Sequence, residues 1–217
     1  MTPAQILASI RAQFNEPTAN FCTDAEIYQY LWEAETKINN TTECAESTDA
    51  SINTIIGTAE YTLPANILFV KRVQWDYVRL KKIDFRELEN QEGQSYGNPI
   101  AQAQPYAYYL YGSIIGFYPT PNLAEKVVMW TIVQPTLCNS GSTSFTVPQL
   151  FHHLFEDYCL YRMFSKDQED NRAAFYKDNF EKNLQEAISS WNKSKSSDRL
   201  YMVKDGDRFP SVYPGMI

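Results

Sequence analysis

Apolar positions along the chain change period twice. Ile6, Leu7, Ile10 and Phe14 share one helical face, after Thr2-Pro3, a capping side chain followed by a proline suited to the first helical position. "NEP" at 15–17 ends that run. Thr23-x-x-Glu26 is a capping box, and Ile27, Leu31, Ala34 and Ile38 then recur at spacings of four, three and four, predicting a second amphipathic helix. The pattern fades in "NNTTECAESTDAS", which reads as a polar, structureless connector. From about 51 to 147 the residues are β-rich. "AEYTLP" is a short strand stopped by Pro64. "ILFVKRVQW" and "VRLKKI" flank Asp76-Tyr77 as a hairpin. "DFRELENQ" reads as a helical turn or two, and "GQSYGNPIAQAQP" as a loop.

Tyr108–Tyr111 and Ile114–Tyr118 flank Gly112-Ser113, and glycine in the first turn position is what a type II′ hairpin requires. The following Pro119-Thr120-Pro121 lacks two amide donors and is expected to stop ladder pairing. "EKVVMWTIVQP" is one more strand, and "LCNSGSTSFTVP" a loop. After Pro148 the helical period returns in Phe151, Phe155, Tyr158 and Arg162, breaks at "SKDQEDN", and resumes in Ala173, Phe180, Leu184, Ala187, Ile188 and Trp191 until "NKSKSSD". The two helices of 1–46 do not bury their stripes alone, and the two helices of 148–195 have complementary stripes. The expectation is therefore an α+β fold: a helical bundle formed from both chain ends, an inserted antiparallel β-sheet domain, and an extended C-terminal tail. Its divisions are 1–50 and 148–196 for the two halves of the bundle, 51–147 for the β domain and 197–217 for the arm.

Charge sharpens this picture. The net charge is −7, which speaks against nonspecific nucleic-acid binding by the whole surface. Residues 1–50 hold two basic and eight acidic residues, 2 − 8 = −6, while Lys71, Arg72, Arg79, Lys81, Lys82 and Arg86 cluster against only Asp76 and Asp84. These cations are subunit-interface candidates if the acidic region meets them on another copy. The same acidic residues could instead line a lumen and keep DNA from adhering. Solvated strand faces are the plain alternative.

Candidate chemistry is thin. His152 and His153 are adjacent and point about 100° apart on a helix, so they do not share a metal easily. His153 and Asp157 read as a surface pair. The chain has no G-x-S-x-G, no G-x-x-x-x-G-K and no G-x-G-x-x-G. "DGD" at 205–207 lacks the remaining ligands of a calcium loop. Cys22, Cys44, Cys138 and Cys159 form no C-x-x-C pair, so zinc is not expected, and free thiols suit a reducing cytoplasm. No signal peptide or apolar run of about 20 residues is seen. The reading is of a protein without catalytic, cofactor or metal sites. Tyr106, Tyr108, Tyr109, Tyr111, Phe117 and Tyr118 suit sheet core and cross-strand pairs more than a stacking platform. In the tail, Leu200, Tyr201, Met202, Val203, Phe209, Val212 and Tyr213 sit in a stretch too irregular to fold alone, which suggests a segment ordered by docking on a partner.

In this order the pieces resemble the adaptor (head–tail connector) proteins of short-tailed bacteriophages over residues 4 to 190. "TDAEIYQYLWEAETKI" is similar to that family's helix T-D-x-E-[LI]-x-x-x-[LI]-x-x-A-x-x-x-[IL]. "EYTLPANILFVKRVQW" is similar to its Y-x-L-P-x-[DN]-[FIL] entry into long strands, and "YGNPIAQAQPYAYYLYGSIIGFYPTPN" to its G-x-P…Y…I-x-[LF]-x-P-x-P signature. Two departures are the connector at 39–54, longer than the family pattern, and the stretch from 197, which does not align. The resemblance implies a structural virion protein, assembled in the bacterial cytoplasm. It implies a homo-oligomeric ring, expected to be a dodecamer, docked on the portal protein, extending the DNA channel and carrying a nozzle or other tail protein. DNA would pass without specific binding, and no membrane is involved. A ring needs two different complementary patches on each subunit. The rival readings are a carbohydrate-binding or tail-fibre-type module using its tyrosines, and a neighbouring ring or stopper of the same machine.

Overall fold

The structure, a computed structural model, describes residues 1–16, 18, 21–84, 102–142 and 144–200. Its order is α1 (Pro3–Phe14), α2 (Asp24–Thr42), β1 (Glu46–Asp49), β2 (Glu60–Thr62), β3 (Ile67–Trp75), β4 (Val78–Arg79), β5 (Lys81–Lys82), β6 (Ala107–Tyr111), β7 (Ile114–Tyr118), β8 (Val127–Val133), a 3-10 turn (Gln149–Phe151), α3 (Leu154–Lys166) and α4 (Asp170–Leu200). The fold is α+β.

Local chemistry sets the helix ends. Thr2 forms a capping box with Gln5, Thr23 forms the expected one with Glu26, and Asn15 closes α1 at φ +59°. The apolar stripe of α2 is fully buried: Ile27, Leu31, Ala34 and Ile38 have no exposed surface. They share one core with Ile6 and Ile10 of α1, Phe151, Phe155, Cys159 and Met163 around α3, and Phe180, Leu184 and Ala187 of α4. All four cysteines are free and buried. Helix α4 continues through "NKSKSSD" to Leu200, further than its apolar period. Neither Gly nor Pro interrupts 170–200, so nothing in the backbone forces a stop. The first four residues of the expected arm are thus helical.

The inserted region is two four-stranded sheets rather than one antiparallel sheet. The orders are β1-β8-β3-β4, all antiparallel, and β2-β7-β6-β5, in which β5 and β6 run parallel. Val73, Trp75, Val127 and Met129 of the first sheet pack with Tyr108, Ile115 and Phe117 of the second, so the sheets meet face to face. Asp76 and Tyr77 both take positive φ, as a two-residue type I′ turn needs, and β4 pairs back on β3. "VRLKKI" is not one strand, however. Val78–Arg79 pairs with β3, Leu80 turns inward at 3% exposure, and Lys81–Lys82 joins β6 in the other sheet.

Two further expectations are corrected, and the core reading of the aromatic hairpin is refined. The connector is not structureless: α2 extends to Thr42 and β1 pairs all four of its residues with β8. "ESTD" is a poor strand by composition, and its backbone pairing along the sheet edge carries it. The Pro119-Thr120-Pro121 stretch ends β7 but is still stitched down. Its missing donors do not affect its carbonyls, and Thr120 O and Pro121 O accept from Ala103 N and Gly57 N, each at 3.0 Å. Finally, the aromatic hairpin does not alternate in and out. Tyr108 and Phe117 lie in the inter-sheet core, while Tyr109 and Tyr118 form a second cluster with Ile83 and Ala107. Tyr109 lies across its strand partner Gly116, where an added Cβ would sit 2.0 Å from the phenol ring, and its hydroxyl donates to Glu60 Oε1 at 2.9 Å.

Candidate functional site

Strand β3 and the hairpin after it bring the basic residues together. Lys71, Arg72, Arg79, Lys81 and Lys82 line one open cleft of about 320 Å³, with Leu80 and Tyr108 at its base. Arg86 lies outside the described residues, as do Tyr201, Met202, Val203, Phe209, Val212 and Tyr213. Leu200 enters only as the last residue of α4.

The five cations are not equivalent. Lys71 lies 3.4 Å from Glu43 and 3.3 Å from Glu46, so the end of α2 and β1 compensate it. Arg72 lies over the Trp130 ring, 4.7 Å from its centroid, a cation–π contact that leaves its charge unneutralised. Arg79, Lys81 and Lys82 are exposed and make no ion pair among the described residues. A second cleft shares Lys71 but also contains Glu46, so its charge is balanced where that of the first is not.

The acidic region expected to complement this cluster is mostly occupied within its own chain. Six of its eight carboxylates face a cation: Glu16 and Asp24 take Arg11, Glu26 takes Lys166 at 2.7 Å, Glu33 takes Arg162 at 3.4 Å, and Glu43 and Glu46 take Lys71. Asp49 accepts from Ser51 N. The eighth, Glu35, is fully buried. A surface whose charges are paired internally offers little Coulombic attraction to a neighbour, least of all through salt.

Glu35 belongs to a polar seam that residue spacing alone did not reveal. Trp32, Glu35 and Asn39 lie at i, i+3 and i+7 on α2, beside the apolar stripe. Trp32 Nε1 donates to Pro135 O at 3.0 Å. Glu35 Oε1 accepts from Thr146 N and from Val147 N, the latter at 3.0 Å. Asn39 Nδ2 donates to Val133 O while its Oδ1 accepts from Ala45 N, both at 2.9 Å. Burial raises the Glu35 pKa, and the two amides oppose this only in part. On the far side of the same loop, His152 Nε2 lies 3.2 Å from Val147 O and the ring packs on Phe145 and Phe155. Burial lowers its pKa. Asp157 accepts from Asn183 at 3.0 Å rather than pairing with His153. His152 is thus placed by packing and loop anchoring, while His153 is exposed.

The family described as SU10 adaptor protein matches residues 1–204 of the 217. The chain belongs to that family. It is a phage head–tail adaptor family, so the protein is a structural phage adaptor, as the resemblance implied. No curated protein matches the chain. In this adaptor no helix among the described residues is long and apolar enough to cross a membrane. Besides the basic cleft, the adaptor exposes Ile55, Ile56, Tyr77, Val78, Tyr106 and Leu123, which gather where β3 ends and β8 begins. Backbone bonds hold that end together: Thr54 N donates to Glu125 O at 2.8 Å and Lys81 N to Tyr106 O at 2.9 Å. Sequence reasoning did not single out this apolar end, because its residues come from four separate loops and strands.

Proposed function

We propose that this adaptor assembles as a closed homo-oligomeric ring, expected to be twelve-fold, beneath the portal vertex. It extends the DNA channel and anchors the tail, and it acts by contact, without catalysis or a cofactor. It is built into the virion in the cytoplasm of the bacterial host. The observation that carries this reading is the family match across nearly the whole chain. The geometry adds support. The helices of both chain ends share one core that serves as the rigid body, and the exposed apolar end of the sheets gives a ring neighbour the desolvated anchor that affinity needs. The C-terminal residues Leu200, Tyr201, Met202, Val203, Phe209, Val212 and Tyr213 form the portal-binding arm.

Electron microscopy of the purified protein, alone and mixed with its portal, tests this. Closed rings seated on the portal are expected. A monomer that ignores the portal and binds glycans would replace the reading with the carbohydrate-binding one, which would draw on Tyr77, Tyr106 and Tyr111, exposed at 93%, 56% and 65%. Deleting residues 201–217 is expected to leave a folded chain that no longer joins the portal, and normal docking by the truncated chain would remove the arm from the proposal.

A further inference from the structure

We propose that the basic cleft is a sequence-independent contact for the phosphate backbone of duplex DNA. Arg79, Lys81 and Lys82 converge on one open cleft with no carboxylate among its lining residues. The neighbouring cleft, with Glu46 on its wall, shows how the same surface looks when its charge is balanced internally. Three like charges that pair with no carboxylate among the described residues stand beside Arg72 and repel one another, an arrangement that an incoming polyanion relieves.

The lining also selects among polyanions. A protein partner is held chiefly by apolar or aromatic anchors that lose water on binding, with charges at the rim. Here the apolar lining residues, Leu80 and Tyr108, are already buried in the adaptor at 3% and 2% exposure, and the Trp130 face is covered by Arg72. Within the cleft what remains on offer is charge, which suffices for phosphates and carries no base readout, while the exposed Tyr77, Val78 and Tyr106 lie outside its lining. Lysines on short edge strands such as β5 also discourage strand pairing between molecules. That role asks for a charge at an edge, of either sign, and not for a cleft lined by cations from three strands.

The experiment is fluorescence anisotropy of a labelled duplex of arbitrary sequence with the full-length adaptor across a salt series. Three neutralised phosphates give a slope of about −2.7 in log affinity against log salt, or about 40-fold weaker binding at ~200 mM than at ~50 mM. The triple variant R79E/K81E/K82E keeps the edges charged while inverting the cleft. With an unchanged thermal melt, it is expected to lose at least ten-fold in affinity at low salt. Duplex binding that is absent, flat with salt, or unaffected by the triple variant overturns the proposal. Polyglutamate binding in place of duplex overturns it in favour of an acidic protein partner. The proposal rests on the ring reading only for where DNA is met. The binding is measured on the free chain, so failure of ring assembly and failure of the cleft register separately.

Discussion

Replacing Glu35 separates two opposing contributions of one buried carboxylate. Its Oε1 accepts both Thr146 N and Val147 N, and Val147 is only 3% exposed. In Glu35→Ala the Val147 amide loses its acceptor in a place water does not reach, at about 1–3 kcal/mol, and the Thr146 amide falls back partly on solvent. With the lost packing, the sum is about 2–4 kcal/mol. For a chain of this length that lowers Tm by about 2–4 °C per kcal/mol. Glu35→Gln keeps an oxygen for both amides and removes the buried charge, so at neutral pH it is expected within about 1 kcal/mol of wild type.

The sign of the pH dependence follows from the raised pKa. Protonation of Glu35 is favoured in the folded state, so its stabilising contribution is full below the unfolded value near 4.5 and is lost as pH rises through the folded value. Wild type should therefore gain on Glu35→Gln as pH falls through the folded value toward 4.5. His152 is common to both proteins and cancels in the difference. Circular-dichroism melts over that range make the measurement. A Glu35→Ala protein within about 0.5 kcal/mol of wild type, or a difference curve that slopes the other way, refutes the clamp.

Other expected outcomes follow from single contacts. His152→Gln should remove a loss of wild-type stability below pH 6.5, because burial holds the histidine's folded pKa below that value and the contribution present above it is lost on acidification; parallel melts at pH 7.5 and 5.5 check this. Gly116→Ala drives a Cβ into the Tyr109 ring and is expected to cost about 1–3 kcal/mol in urea unfolding. Asn39→Ala unpairs Val133 O and Ala45 N together and should cost about 2–3 kcal/mol, with hydrogen exchange rising first in β1.

Features that local chemistry decides were legible in the sequence. The capping box at Thr23, the buried stripe of α2 and the two hairpin turns rest on neighbouring residues, and each formed as its residues dictate. Strand β1 was not legible, because "ESTD" has no strand signal of its own and its pairing partner lies eighty or more residues away. The seam of Trp32, Glu35 and Asn39 left a trace in its i, i+3, i+7 spacing. Spacing names a face of a helix, however, and not whether that face meets water or another stretch of backbone. The basic cluster was legible as composition. That Lys71 meets Glu43 and Glu46, while Arg79, Lys81 and Lys82 have no ion pair among the described residues, depends on where α2 ends, which residue counting does not give.

The seam has a mechanical consequence. The chain leaves α2 for the sheets through Ala45 and returns past Val133, Pro135 and Val147, and every one of these points is fastened to the same helix. A segment tied down at both its departure and its return has no free pivot. Load placed on the strands becomes torque on α2 instead of being absorbed in a swinging joint, so tilting the sheets against the helices requires breaking buried bonds at both ends at once.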